Sequence, residues 1–154
     1  MGGRRRVDLR SPGDTFRFGT HVARLIPKGS ILALHGPLGA GKTSFVQGLA
    51  AGLGIGSDIP SPTFTYLNLY EEKGFSLAHF DLYRMRGASD FFSMGFEEYF
   101  EGDGIAAIEW PERLENALPN RALSFHFEHA PEGRIVYLSS AFAHDLIDLL
   151  AEWD

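Results

Sequence analysis

Gly36-Pro37-Leu38-Gly39-Ala40-Gly41-Lys42-Thr43 has the spacing G-x-x-x-x-G-K-[ST], and each fixed position answers a demand of polyphosphate binding. Gly36, Gly39 and Gly41 let the backbone curl and approach an anion closely, so that amide N–H groups point inward as donors. Lys42 is long enough to reach β- and γ-phosphates, and the Thr43 hydroxyl is a ligand for Mg²⁺. Such a loop works between a buried strand and a helix. Ile31-Leu32-Ala33-Leu34 supplies the apolar run before it, and Phe45, Val46, Leu49, Ala50 and Leu53 recur at helical spacing after it. The loop therefore stands at a helix N-terminus, where the backbone favours anions. Residues Gly36 to Ser44 are accordingly candidate contacts to a nucleotide, with ATP as the substrate and Mg²⁺ as its companion.

Working outward, the composition sets limits. At 154 residues with 44% apolar side chains, the chain is expected to form one domain with a substantial core, behind a flexible basic terminus at residues 1–6. No apolar run reaches the length of a membrane span, and there is no cysteine for disulfides, thiolate zinc sites or thiol catalysis. A cytoplasmic location is the resulting expectation. A net charge of −6 argues against a broad, sequence-independent nucleic-acid surface.

Along the chain, Val7-Asp8-Leu9 reads as a short edge strand. Ser11-Pro12-Gly13-Asp14 reads as a helix start, with Ser11 as N-cap, Pro12 in the first turn and Asp14 closing a capping box. Residues 63–72 and 75–83, rich in aromatic and β-branched side chains around Lys73-Gly74, predict a hairpin, and Arg121–His129 with Arg134–Ser139 predict a second. Short helices are expected over Ala88–Met94, Phe96–Phe100 and Pro111–Leu118, and a closing amphipathic helix over Phe142–Trp153. The continuous apolar run Ile105-Ala106-Ala107-Ile108 suits a strand buried on both faces. Together these predict an α/β, three-layer fold of the P-loop NTPase kind, with a mixed parallel and antiparallel central sheet flanked by helices.

A bound triphosphate needs anionic side chains to steady its metal, and these emerge at the C-terminal ends of buried strands. Asp81 ends Phe75–Phe80, and Glu109 ends Ile105–Ile108. One is expected to ligate Mg²⁺ and the other to orient the attacking water, in either order. Lys42, Asp81 and Glu109 are thus the candidate catalytic residues, and Thr43, Asp81 and Glu109 the candidate metal ligands. Thr63 is placed to add a hydroxyl near the γ-phosphate, and Trp110 to pack near the nucleotide. Arg84, Arg86 and Arg113 follow the carboxylates closely, either to neutralise transition-state charge or to pair structurally. His79, inside an apolar strand, reads as a satisfied core histidine.

Five segments taken together resemble the TsaE (YjeE) family. They are Gly36–Thr43, Ser61-Pro62-Thr63-Phe64-Thr65, His79-Phe80-Asp81-Leu82-Tyr83-Arg84, Gly95-Phe96-Glu97-Glu98-Tyr99-Phe100 and Ile108-Glu109-Trp110-Pro111-Glu112-Arg113. The first is generic; the others make the resemblance specific over residues 30–115. It implies a weak P-loop ATPase that helps install threonylcarbamoyl on adenosine 37 of tRNA, acting with the proteins TsaB and TsaD and meeting tRNA through that complex, with group transfer on TsaD. By position it implies that Lys42 holds phosphate, that Thr43 and Glu109 serve Mg²⁺, and that Asp81 and Thr63 act around the γ-phosphate. Pro37 stands where the family often has Asp. Two rival classes remain beside it. A small-molecule kinase would carry an arginine-rich lid, which is not evident, and a non-hydrolysing ATP-binding scaffold would share the same residues. A GTPase would need an N-K-x-D segment, which the chain lacks.

Overall fold

The computed structural model describes residues 4–56, 66–72 and 74–153. Seven strands form one sheet: β1 (Arg5–Leu9), β2 (Ile31–His35), β3 (Leu67–Glu72), β4 (Phe75–Asp81), β5 (Ile105–Glu109), β6 (Leu123–His129) and β7 (Arg134–Ser139). Their spatial order is β1-β7-β6-β2-β5-β4-β3. The middle four, β6-β2-β5-β4, are mutually parallel, and β7, β1 and β3 add antiparallel edges. The expected mixed sheet is therefore present, with the apolar strands β2 and β5 at its centre. Every residue of β5 is buried, as a parallel strand covered on both faces requires.

Alternation along the strands sorts the core into two layers. Leu32, Leu34, Leu77, Ala107, Phe125 and Phe127 face α1 (Pro12–Leu25), α2 (Lys42–Gly52) and α4 (His144–Leu150). Ile31, Ala33, Phe80, Ala106 and Ile108 face the opposite way, against Phe91 of α3 (Ala88–Ser93) and against Phe100 and Leu114 of two 3₁₀ segments. The segments predicted as ordinary helices after Gly95 and Trp110 are thus 3₁₀ (Phe96–Phe100 and Pro111–Ala117), and Glu115 interrupts the second at φ 50°. The closing helix is shorter than its apolar spacing suggests. Phe142 is 73% exposed and takes no part in the buried face, while Trp153 lies beyond the helix and packs edge-on against Phe18.

Two N-terminal expectations need correction. Ser11 does cap α1, accepting from Asp14 N at 3.1 Å, but Asp14 reaches back to Arg10 N rather than to Ser11 N. The basic terminus is also engaged further than expected. Arg5 and Arg6 lie in β1, Arg5 pairs with Asp148 and Arg6 with Asp8, and the Arg4 guanidinium sits 4.1 Å from the Tyr137 ring centre.

Helices α1 and α2 cross with their backbones in contact. A Cβ at Gly48 would lie 1.9 Å from Phe16 O, and one at Gly19 would lie 2.2 Å from Phe45 O. The Thr20 hydroxyl donates to Gly48 O at 3.1 Å and fastens the crossing. This contact sets the position of the α1 N-terminus over the loop before α2.

On the other face of the sheet, His35 and His126 are register partners, and their rings stack at 4.1 Å, 4° from parallel. Burial pushes both imidazoles below the ordinary histidine value of 6.5, and the partner ring adds to this at His35 as Arg4 does at His126. The folded chain then binds fewer protons than the unfolded one, so this contribution to stability is intact above pH 6.5 and is lost progressively below it, as pH falls through the lower folded-state values. We expect calorimetry to show a fall in Tm on acidification that is smaller by about 2–4 °C in His126→Phe, which keeps a ring and removes the proton site. Equal slopes in the two proteins would contradict this account.

Candidate active site

The loop takes the conformation its glycines permit. Gly36, Gly39 and Gly41 all have positive φ, at 143°, 77° and 101°, and α2 starts at Lys42 directly behind Gly41. A side chain at any of the three would strain the turn. The loop leaves β2 at the edge where β4 and β5 also end, because the three strands are parallel. Asp81 and Glu109 are Cα partners across β4 and β5, and Glu109 is also partnered with Leu34 of β2. Both carboxylates therefore arrive beside the loop.

Lys42 is 4% exposed. Its Nζ donates to Gly36 O at 2.6 Å, lies 3.9 Å from Glu109 Oε1 and sits 4.6 Å from the centre of the Trp110 ring. Trp110 holds this place at a cost, since its φ of 59° is left-handed and sterically unfavourable for an indole-bearing residue. Burial lowers the Lys42 pKa, opposed by the negative charges of Glu109, Asp81 and Glu112. Burial raises that of Asp81, reinforced by Glu109 and opposed chiefly by the Tyr83 N–H, which donates to Asp81 Oδ1 at 3.1 Å.

A cavity of about 310 Å³ opens at this edge, a size suited to a small ligand. Lys42, Thr43, Ser44, Asp81 and Glu109 line it, together with Leu38, Gly39 and Gly41 of the loop. Ser11, Pro12 and Thr15 from α1, with Gly133 and Arg134 from the β6–β7 turn, complete the lining. Arg134 Nη2 donates to Gly39 O at 2.9 Å and Nη1 to Gly133 O at 2.8 Å, tying that turn to the loop, while its Nε is buried without a hydrogen-bond partner.

The lining contributed by the loop, Asp81 and Glu109 matches the residues expected from the sequence, and that contributed by Ser11, Pro12, Thr15, Gly133 and Arg134 does not. Gly36, Pro37 and Ala40 shape the loop without lining the cavity, and Trp110 reaches the site through Lys42. Thr63, with the whole of residues 61–65, lies outside the described residues. Arg113 donates to Tyr83 O at 3.0 Å, a structural bond, and Arg84 and Arg86 are exposed and do not line the cavity. His79 is the core histidine expected, but only one of its ring nitrogens is satisfied. It is fully buried, Nε2 lies 2.7 Å from Glu109 Oε2 and Nδ1 has no hydrogen-bond partner.

The donor set suits a hard cation. Thr43, Asp81 and Glu109 offer oxygen only, and among the described residues no three His, Cys, Asp or Glu side chains form a cage of their own. One or two carboxylates beside a phosphate-binding loop is the usual provision for Mg²⁺, which keeps substrate oxygens and water in its remaining positions. Among the described residues no helix is long and apolar enough to cross a membrane.

Residues 9–136 match the family model described as threonylcarbamoyl adenosine biosynthesis protein TsaE. A protein of Treponema pallidum named tRNA threonylcarbamoyladenosine biosynthesis protein TsaE is 45% identical over 80% of this chain and 91% of its own length. Its namesake in Borreliella burgdorferi is 40% identical over 86% and 98%. The crystal structure of Bacillus subtilis YdiB superposes with a TM-score of 0.79 at 29% identity, covering 98% of this chain and 95% of that one.

Proposed function

The chain belongs to the TsaE family, and from that premise we propose that it is a Mg²⁺-dependent ATPase. It supports formation of the threonylcarbamoyl modification at adenosine 37 of tRNA, in the cytoplasm, together with TsaB and TsaD. The observation that carries the reading is the convergence of Lys42, Thr43, Asp81 and Glu109 on one cavity, at the C-terminal ends of adjacent parallel strands.

The division of labour follows from the surroundings of each group. Loop amides and the Lys42 ammonium receive the phosphates, and the remainder of the nucleotide extends toward Ser11, Pro12, Thr15 and Arg134. Mg²⁺, when bound, neutralises phosphate charge, with the Thr43 hydroxyl and Glu109 to hold it. Burial raises the Asp81 pKa, which suits this carboxylate to orient a water and accept its hydrogen bond. Trp110 screens Lys42 from solvent, so its charge acts at reduced dielectric.

The test is phosphate release from ATP with and without TsaB and TsaD, in the wild type and in Glu109→Ala. We expect strong stimulation of the wild type, and a stimulated rate about 10²–10³-fold lower in the variant. An equally active variant would remove Glu109 from the site, and a wild type that neither binds nor hydrolyses Mg²⁺–ATP would overturn the reading.

A further inference from the structure

His79 lies in β4, fully buried, two residues before Asp81, and does not line the cavity. Its Nε2 is 2.7 Å from Glu109 Oε2. The other oxygen of that carboxylate, Oε1, is the one nearer Lys42, at 3.9 Å, beyond direct hydrogen-bond reach. Among the described residues the hydrogen bond to the Glu109 side chain therefore comes from His79. A carboxylate only accepts, so Nε2 carries the hydrogen of this bond, and Nδ1 is buried without a partner. A buried N–H left unpaired is a rarer and costlier arrangement than an unpaired acceptor. Glutamate has a long, freely rotating side chain, and its exit from the end of β5 does not by itself point it at the loop.

We infer that His79 is a positioning residue: its Nε2–H holds one oxygen of Glu109 and so presents the other toward Lys42 and the phosphate end of the cavity. Its functional weight rests on the ATPase reading above, through the Mg²⁺ that Glu109 would help to hold. Outer hydrogen bonds of this kind fix the orientation of metal-binding carboxylates, and their loss weakens metal affinity about 10–100-fold.

Two variants separate positioning from packing. His79→Leu fills the space and lacks the donor; His79→Gln keeps an N–H at comparable reach. Binding of ATP without Mg²⁺, followed by Trp110 fluorescence, is expected to stay within about threefold of wild type in both, because loop and Lys42 are untouched. The Mg²⁺ concentration that half-maximally strengthens ATP binding is expected to rise about 10–100-fold in His79→Leu and to return to within about threefold in His79→Gln. Crystal structures are expected to show Glu109 Oε1 turned away from Lys42 in the leucine variant and in its wild-type place in the glutamine variant.

A folded leucine variant with an unchanged Mg²⁺ requirement and an unmoved Glu109 would overturn the inference. So would a glutamine variant that keeps Glu109 in place and still behaves like leucine. If the leucine protein does not fold, His79→Asn, polar but too short to reach Oε2, replaces it with the same expected outcome. A wild type that binds Mg²⁺–ATP without hydrolysing it would sink the ATPase reading alone, since the Mg²⁺ titration and the Glu109 conformation are read without turnover.

Discussion

Lys42→Ala is expected to weaken ATP binding at least about 100-fold and to reduce hydrolysis below detection, while the protein stays folded. The ammonium is the cation nearest the two carboxylates, held between Gly36 O, Trp110 and Glu109. Without it, a triphosphate would enter a cavity lined by the negative charges of Asp81 and Glu109, with Arg134 as the remaining lining cation among the described residues. The stability effect is a balance. Burial lowers the Lys42 pKa, so the folded state holds this proton less firmly than the unfolded chain, and the charged lysine costs stability at neutral pH. Its removal relieves that cost and leaves Glu109 without a nearby positive charge, two changes of opposite sign. Titration calorimetry with ATP and Mg²⁺ measures the first effect and a thermal melt the second. A variant that binds ATP as wild type does would show that the cavity is not a phosphate site.

Gly48→Ala should be among the most damaging single-methyl changes in the fold. The new carbon would lie 1.9 Å from a backbone oxygen, Phe16 O, which no side-chain rotation relieves. Alanine is the better helix former by about 1 kcal/mol, yet α1 and α2 would have to part, disturbing a joint core that includes Phe18, Val22, Phe45 and Leu49. The expected net loss is about 3 kcal/mol, or about 6–12 °C in Tm. Nucleotide binding should weaken in parallel, because moving α1 moves Ser11, Pro12 and Thr15. A thermal melt superimposable on wild type would refute the backbone contact.

These two positions also mark the border of what could be read without coordinates. Lys42 belongs to a contiguous motif whose glycines, apolar strand and helix are neighbours in the chain, so local chemistry located it. Asp81 and Glu109 were legible because each ends an apolar run, and parallel pairing brings such ends to one edge. Gly48 sits at an ordinary-looking point of α2, and its meaning depends on Phe16, which only the packed helices bring near. Arg134 escaped for the same reason: it follows a turn far from the loop in sequence, and its bond to Gly39 exists only once β7 has joined the sheet. The His79 imidazole matched an apolar strand and was read as core; that it faces Glu109 follows from the parallel register of β4 and β5. The 3₁₀ form of Pro111–Ala117 turns on the left-handed backbone at Trp110 and Glu115, which no spacing rule anticipates.

Because α1 and α2 meet backbone to backbone at Gly19 and Gly48, the loop and the helix end opposite it move as one piece. That side of the cavity is held by contacts of the fold itself, which are present without a ligand. A ligand entering the cavity therefore meets a wall at Ser11, Pro12 and Thr15 that is already built.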